Sequence, residues 1–248
     1  MAQKYIDMLP YLTYLAEQVL HKSIYLWSGQ GEVVDTLPVG KIISMENSRA
    51  NAARVLTHLA ELAKDPDWFA KNAKAFDCSG LIVYWLLNIE KVYTWDHTAN
   101  DIWKECVEIP EGNQQPGDFV FSSFSSAGRA GHIGAVVEDG TVTESRGRDY
   151  GVVNRKFSAG SWKKIGRPAF WAYKMNRVLK NGSRGNDVGQ LQARLKHLGF
   201  DCGTVDNIFG SKTKSALTNF QKKNYPSAPE FGVMDKNTAK KMGFVFAA

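Results

Sequence analysis

The 248-residue chain is poor in cysteine and has no metal-ligand spacing. Its three cysteines, Cys78, Cys106 and Cys202, are odd in number and far apart, which excludes a disulfide framework, and neither CxxC nor HExxH occurs. No metal and no other cofactor are expected. Long hydrophobic runs are also missing. The longest, Leu81 to Leu87, is far short of the roughly 20 apolar residues that span a bilayer. Asp7 and Pro10 interrupt the apolar stretch near the N-terminus, and no small-residue cleavage pattern follows it. A soluble protein made in the cytoplasm without a signal peptide is therefore expected, with no membrane partner.

Net charge is absent from most of the chain. Residues 1–177 hold 20 Lys+Arg and 20 Asp+Glu, whereas residues 178–248 hold 11 and 5, so the formal +6 sits in the last 71 residues. A neutral large part joined to a basic small part suggests a tail module that meets a polyanion. A basic surface that only keeps the chain in solution fits the charge equally well. The lysines are spread out and no Arg-rich recognition helix is present, which counts against nucleic acid.

Hydrophobic spacing organises what is there. Leu9, Leu12, Leu15, Ala16, Val19 and Leu20 predict an amphipathic first helix, and Ile24 to Gly31 a short aromatic strand ending in a glycine turn. A helix from about Ser48 carries Val55, Leu56, Leu59, Leu62 and Ala63 on one face. Phe119-Val120-Phe121 follows a Pro-Gly turn as a strand. Gly151 to Val153, Trp162 and Ile165 to Tyr173 read as closing strands. A boundary is expected near Lys174 to Lys180. Beyond it, Val188, Leu191, Leu195 and Leu198 form one helical stripe and Thr213, Ala216, Leu217 and Phe220 another, with Ser211 and Asp235 as candidate caps of the second and third helices.

Phe76-Asp77-Cys78-Ser79-Gly80 stands at the mouth of the apolar run. A cysteine on the first turn of a buried helix meets unpaired N–H groups and the positive end of the macrodipole, which favour thiolate over thiol. A buried, inert cysteine is the commoner fate of a free thiol. A nucleophile needs a base, and the base an orienting partner. Of the five histidines, His132 alone begins a strand directly after a Gly-rich loop. Cys78, His132 and Glu144 are thus the candidate nucleophile, base and orienting group.

The turn between the last two has a testable length. With a two-residue Asp139-Gly140 loop Ala135 faces Glu144, and His132 and Glu144 lie on opposite faces. With a three-residue Glu138-Asp139-Gly140 loop and Gly140 left-handed, Gly134 faces Glu144, and His132 and Glu144 become diagonal neighbours on one face. The three-residue loop is the expectation.

YLWSGQG, FDCSGL, PGDFVF and GHIGAVVEDG followed by TES, in that order, resemble the NlpC-type cysteine peptidases, a papain-like family that cuts bacterial cell-wall peptides. The resemblance covers roughly residues 5 to 173. It implies an α+β fold, a central antiparallel sheet packed on helices, with Cys78 as nucleophile, His132 as base and Glu144 as the orienting residue. It places Tyr25 near the nucleophile. Asp77 and Ser79 become candidate substrate contacts, although capping the helix start explains them as well. Two departures stand out: the third position is often His, Asn or Gln in the family, and residues 32–75 form a long insertion.

Gly185-Asn186-Asp187-Val188, Leu191-Gln192, Gly199-Phe200, Asp206, Phe209-Gly210 and Phe220-Gln221 resemble the three-helix peptidoglycan-binding domain of wall hydrolases. Asn207 stands where that domain usually has glycine, and asparagine tolerates the left-handed conformation. The expected organisation is a catalytic domain over 1–175 and a peptidoglycan-binding domain over 176–248. The resemblances together imply a wall hydrolase with peptidoglycan as its partner at both domains. Its expected activity is a cysteine endopeptidase of the stem peptide cutting D-glutamyl to diamino acid, acting on the bacterial wall after release as a phage or prophage endolysin. An N-acetylmuramoyl-L-alanine amidase on the same fold and a non-catalytic wall-binding protein are the alternatives.

Overall fold

The computed structural model describes residues 5–68, 72–138, 140–158 and 160–246. The first helix, α1 (Leu9–Leu20), leads into β1 (Ile24–Tyr25), β2 (Gln30–Val33), α2 (Val39–Met45), α3 (Arg49–Leu62) and β3 (Lys74–Phe76). Next come α4 (Gly80–Tyr84), a π-helical stretch Trp85–Ile89, α5 (Ala99–Glu105), β4 (Val107–Glu108), β5 (Phe119–Ser122), β6 (His132–Val136), β7 (Thr141–Gly147) and β8 (Gly151–Lys156). The chain ends with β9 (Lys164–Arg167), β10 (Lys174–Met175), α6 (Asn186–His197), α7 (Ser211–Asn224), α8 (Lys236–Lys241) and β11 (Val245–Phe246). The fold class is α+β. Two units form, one from Leu9–Lys104 and Phe119–Lys163, the other from Met1–Met8, Glu105–Asp118 and Lys164–Ala248.

In the first unit β5, β6, β7 and β8 make an antiparallel meander, and β1, β3 and β2 a small mixed sheet. The two sheets are tied where Ser145 Oγ donates to Phe76 O at 2.8 Å and Val152 N–H to Ser23 O at 2.7 Å. The buried face of α1 is Tyr11, Leu12, Tyr14, Leu15 and Gln18, while Leu9, Ala16 and Leu20 are exposed. The leucine stripe is therefore rotated from its expected place. The tyrosines supply the packing area, with Tyr11 against Trp85 and Phe119 and Tyr14 against Phe76 and Tyr84.

The long insertion carries core. Val34, Ile42 and Val55 pack with Ile24, Leu26, Trp68, Ala73 and Ala75, and Leu56, Leu59 and Leu62 cover them. Ser48 caps α3 by accepting the Asn51 N–H at 3.2 Å. Phe69, read with Trp68 as part of this insertion, lies outside the described residues.

In the second unit β4 pairs with β9, and β10 with β11. Lys164–Arg167 is a strand, but of the 168–173 stretch expected to continue it only Trp171 makes a bridge, to Ile6. Arg167 and Asp118 form a fully buried ion pair at 2.7 Å. The stripes Val188, Leu191, Leu195 and Ala216, Leu217, Phe220 are buried as their spacing predicts. Asp235 caps α8 through the Thr238 N–H at 2.7 Å. Ser211 does not cap α7: it is the first helical residue, and the cap position is Gly210, which has no side chain to offer. Asn207 adopts φ +63°, the left-handed turn expected there.

Polar side chains fasten the three helices to the rest of this unit. Gln115 donates to Asn186 O at 3.0 Å and Asn113 to Val205 O at 3.1 Å. Arg194, buried among Tyr5, Tyr173 and Phe244, donates to Trp171 O and Met242 O at 2.7 Å each. Among the described residues no helix is long and apolar enough to cross a membrane, and no group of three or more His, Cys, Asp or Glu side chains is placed to hold a metal ion.

Candidate active site

The site lies wholly within the first unit. Asp77 separates Cys78 from β3, and Cys78 stands just before Ser79, the cap position of α4, not on the first helical turn expected from the sequence; the backbone turns into α4 with Leu81 N–H donating to Asp77 O at 3.2 Å. Asp77 organises that turn: its Oδ1 accepts the Gly80 N–H at 2.6 Å and the Ser79 hydroxyl at 3.1 Å. Burial raises the Asp77 pKa, against the lowering effect of those same bonds. Both candidate substrate contacts, Asp77 and Ser79, are thus engaged in shaping the helix start. Gly80 is required by proximity, because a Cβ there would stand 2.0 Å from Gly29 O.

The β6–β7 register pairs Ala135 with Thr143 and Val136 with Val142. This is the pairing that the three-residue loop demands, with Gly134 facing Glu144. Gly140 is left-handed at φ +75° and its N–H donates to Val137 O at 3.0 Å; Asp139, the middle residue, lies outside the described residues. A Cβ on Gly134 would come 2.7 Å from Val142 Cγ1, 3.2 Å from the Trp162 ring and 3.3 Å from Glu144 Cβ, so the glycine opens the space the site uses.

Cys78, His132 and Glu144 come together. His132 Nε2 meets Glu144 Oε2 at 2.5 Å, and the imidazole also hydrogen-bonds the Cys78 side chain. The Cys78 thiol, half-buried, also lies 3.9 Å from Gly131 O. Burial pulls the His132 pKa down. The bonds and charges of Cys78 and Glu144 outweigh burial and carry it up to about 9. Glu144 is only 1% exposed. Its burial favours the neutral acid, but bonds from His132 and Arg155 prevail and the carboxyl stays below its usual range. At neutral pH the arrangement holds an imidazolium beside an ionised carboxylate.

Four neighbours of this site, Arg155, Trp162, Glu46 and Arg148, are not among the site residues expected from the sequence. Arg155 on β8 donates from Nε to Glu144 Oε1. Trp162 stacks on His132 with ring centroids 5.7 Å apart and 9° between planes, and the Arg155 guanidinium lies 5.3 Å over the same indole. Glu46, from the insertion, accepts the Trp27 N–H at 2.9 Å and pairs with Arg148 at 2.6 Å. Arg148 in turn lies 5.1 Å over the Tyr25 ring. Tyr25 is buried in β1, and burial followed by the negative charges of Cys78 and Asp77 raises its pKa.

Residues 66–167 match the NlpC/P60 family. All three candidate residues fall inside the NlpC/P60 segment. Residues 184–242 match a second family, described as "Putative peptidoglycan binding domain". The two segments together give the domain architecture of a peptidoglycan hydrolase.

Individual relatives match over shorter stretches. A spore cortex-lytic enzyme of Bacillus cereus is 52% identical over 48 residues, 19% of this chain and 18% of that protein. N-acetylmuramoyl-L-alanine amidase CwlM of Mycobacterium tuberculosis is 41% identical over 61 residues, 25% of this chain and 14% of that one. The chain thus spans less than a fifth of the length of these curated relatives. Among solved structures, the P60 domain of the M. avium subspecies paratuberculosis antigen MAP1204 is 16% identical, with 65% of this chain and 96% of that one covered, at a TM-score of 0.38.

Proposed function

We propose that the chain is a cysteine endopeptidase of peptidoglycan, with a catalytic domain within residues 1–175, of which Met1–Met8, Glu105–Asp118 and the stretch from Lys164 fold with a wall-binding domain over 176–248. The observation that carries this reading is the His132 imidazole held between the Cys78 side chain and the Glu144 carboxylate. The proton on the resting His132 imidazolium is the one taken from the Cys78 thiol, and the sulfur attacks an amide carbonyl of the stem peptide, the D-glutamyl to diamino acid bond. The tetrahedral oxyanion is met by the Cys78 backbone N–H and by Tyr25, donors of a kind worth about 3 to 4 kcal/mol in the transition state. His132 returns the proton to the leaving amine as the C–N bond breaks. Water, deprotonated by His132, then cleaves the thioester and regenerates the thiol. Glu144 keeps the ring in its working orientation throughout.

The basic C-terminal region raises the local concentration of enzyme on an anionic, insoluble polymer. The likeness to spore cortex-lytic enzymes supports peptidoglycan as that polymer. The setting we infer is a phage or prophage endolysin that reaches the wall after release. A second reading, an N-acetylmuramoyl-L-alanine amidase working through the same three residues, draws support from the likeness to CwlM. Digestion of purified sacculi by wild type and Cys78→Ala, followed by mass spectrometry of the fragments, separates the readings. New amines on diamino-acid residues are expected. New alanine amines favour the amidase, and release that persists in Cys78→Ala rejects both.

A further inference from the structure

The β6–β7 and β7–β8 registers generate a second diagonal step that nothing in the Cys-His-Glu reading uses. Glu144 faces Val153, and Val142 faces Arg155, so Arg155 is the diagonal neighbour of Glu144 on the same face of the sheet. His132 is its diagonal neighbour on the other side. Three adjacent strands therefore present His132, Glu144 and Arg155 in a row, with Trp162 lying against both the imidazole and the guanidinium. Each end of the row takes a different oxygen of the carboxylate: His132 takes Oε2 and Arg155 takes Oε1.

We propose that Arg155 is a positioning residue for the hydrolase, fixing the Glu144 carboxylate so that Oε2 stays in the imidazole plane while Oε1 is held from behind. The need for such a residue follows from the choice of glutamate. A neutral amide at this position would cost little to bury, whereas a carboxylate at 1% exposure requires a partner for each oxygen or loses its charge. A carboxylate left to His132 alone would also bind the imidazolium too tightly, because a proton held far above the working pH is returned slowly to the leaving amine. Arg155 relieves both problems. Its fork orients the oxygen and its charge offsets part of the carboxylate's pull on the proton. The groups facing His132 are Cys78 and Glu144, and those facing Glu144 are His132 and Arg155.

The inference rests on the proposed Cys78–His132 chemistry, so the first measurement avoids activity altogether. In the full-length protein the His132 ring is titrated by NMR in wild type, Arg155→Met and Arg155→Lys. Methionine keeps an apolar stem against Trp162 but removes the charge, so the His132 midpoint should rise by roughly 0.4 to 1.7 units, the range that one charge about 7 Å away produces between water-like and protein-like screening. Lysine should leave the midpoint near the wild-type value. The second measurement is a cycle on kcat with a soluble muropeptide. Arg155→Met should lower kcat about tenfold or more with KM little changed, yet by less than about twofold in a Glu144→Gln background, where no carboxylate remains to be held. An unmoved or lowered midpoint in Arg155→Met, or an equal kcat loss in both backgrounds, overturns the proposal. Failure of the proposed function shows elsewhere, as activity in Cys78→Ala.

Discussion

Replacing Glu144 by glutamine keeps the shape of the side chain and the contact with His132 Nε2 while removing one charge from a buried row of three. Opposite unit charges about 4 Å apart are worth about 4 kcal/mol at an effective dielectric of 20. Part of this is already spent, because Arg155 holds the other carboxylate oxygen. His132 is carried from 6.5 to about 9 by Cys78 and Glu144 together against its own burial. With each pKa unit equal to about 1.4 kcal/mol, losing the Glu144 share should lower the midpoint by roughly one to two units. The functional form is the imidazolium that protonates the leaving amine, present below the midpoint and lost as pH rises through it. The pH profile of kcat/KM on a soluble muropeptide should therefore show a wild-type alkaline limb near 9, and Glu144→Gln should move that limb to lower pH. The same sign governs folding: the stability due to the raised His132 pKa is full below 6.5, falls as pH rises through about 9 and is smaller in Glu144→Gln. A limb that stays in place, or moves upward, would refute the view that Glu144 acts on His132 through its charge.

Two glycines give sharper steric outcomes. Gly134→Ala puts a methyl 2.7 Å from Val142 Cγ1 and against Trp162 and Glu144, so urea unfolding should show a loss of about 1 to 3 kcal/mol together with a reduced kcat. Gly80→Ala meets a backbone oxygen, Gly29 O at 2.0 Å, which cannot rotate away. Its expected result is a larger loss of stability, read as a lower urea midpoint, and near-complete loss of turnover.

Legibility in the sequence followed the range over which each physical constraint acts. The hairpin was readable because turn length and side-chain alternation are local, and they placed His132 and Glu144 on one face. The caps at Ser48 and Asp235 and the left-handed Asn207 are local in the same sense. Arg155 was not readable, because its relation to Glu144 depends on a second register set by the Gly147–Gly151 connection, where the pairing shifts by a bulge. Glu46 lies just ahead of the helix that the insertion's spacing predicts, and it reaches the site through an ion pair with a residue 102 positions away, which no local pattern encodes. Leucine spacing locates the first helix but not its rotation, because tyrosines with larger buried area decide which side faces inward. The π-helical stretch after α4 leaves no trace in an apolar run, since every residue of Leu81 to Leu87 suits an α-helix as well.

Arg194 has a practical consequence for engineering. Wall hydrolases invite domain exchange, with one binding module cut away and another grafted at the apparent linker. Here the guanidinium of α6 reaches back to Trp171 O, Gln115 and Asn113 reach forward to α6 and the loop after it, and Trp171 itself is fully buried. A cut at residue 177 would run through the interior of a folded unit. A graftable piece has to carry the N-terminal segment to Met8, Glu105–Asp118 and the segment from Lys164 onward with the three helices, so in this chain the portable part is discontinuous in sequence.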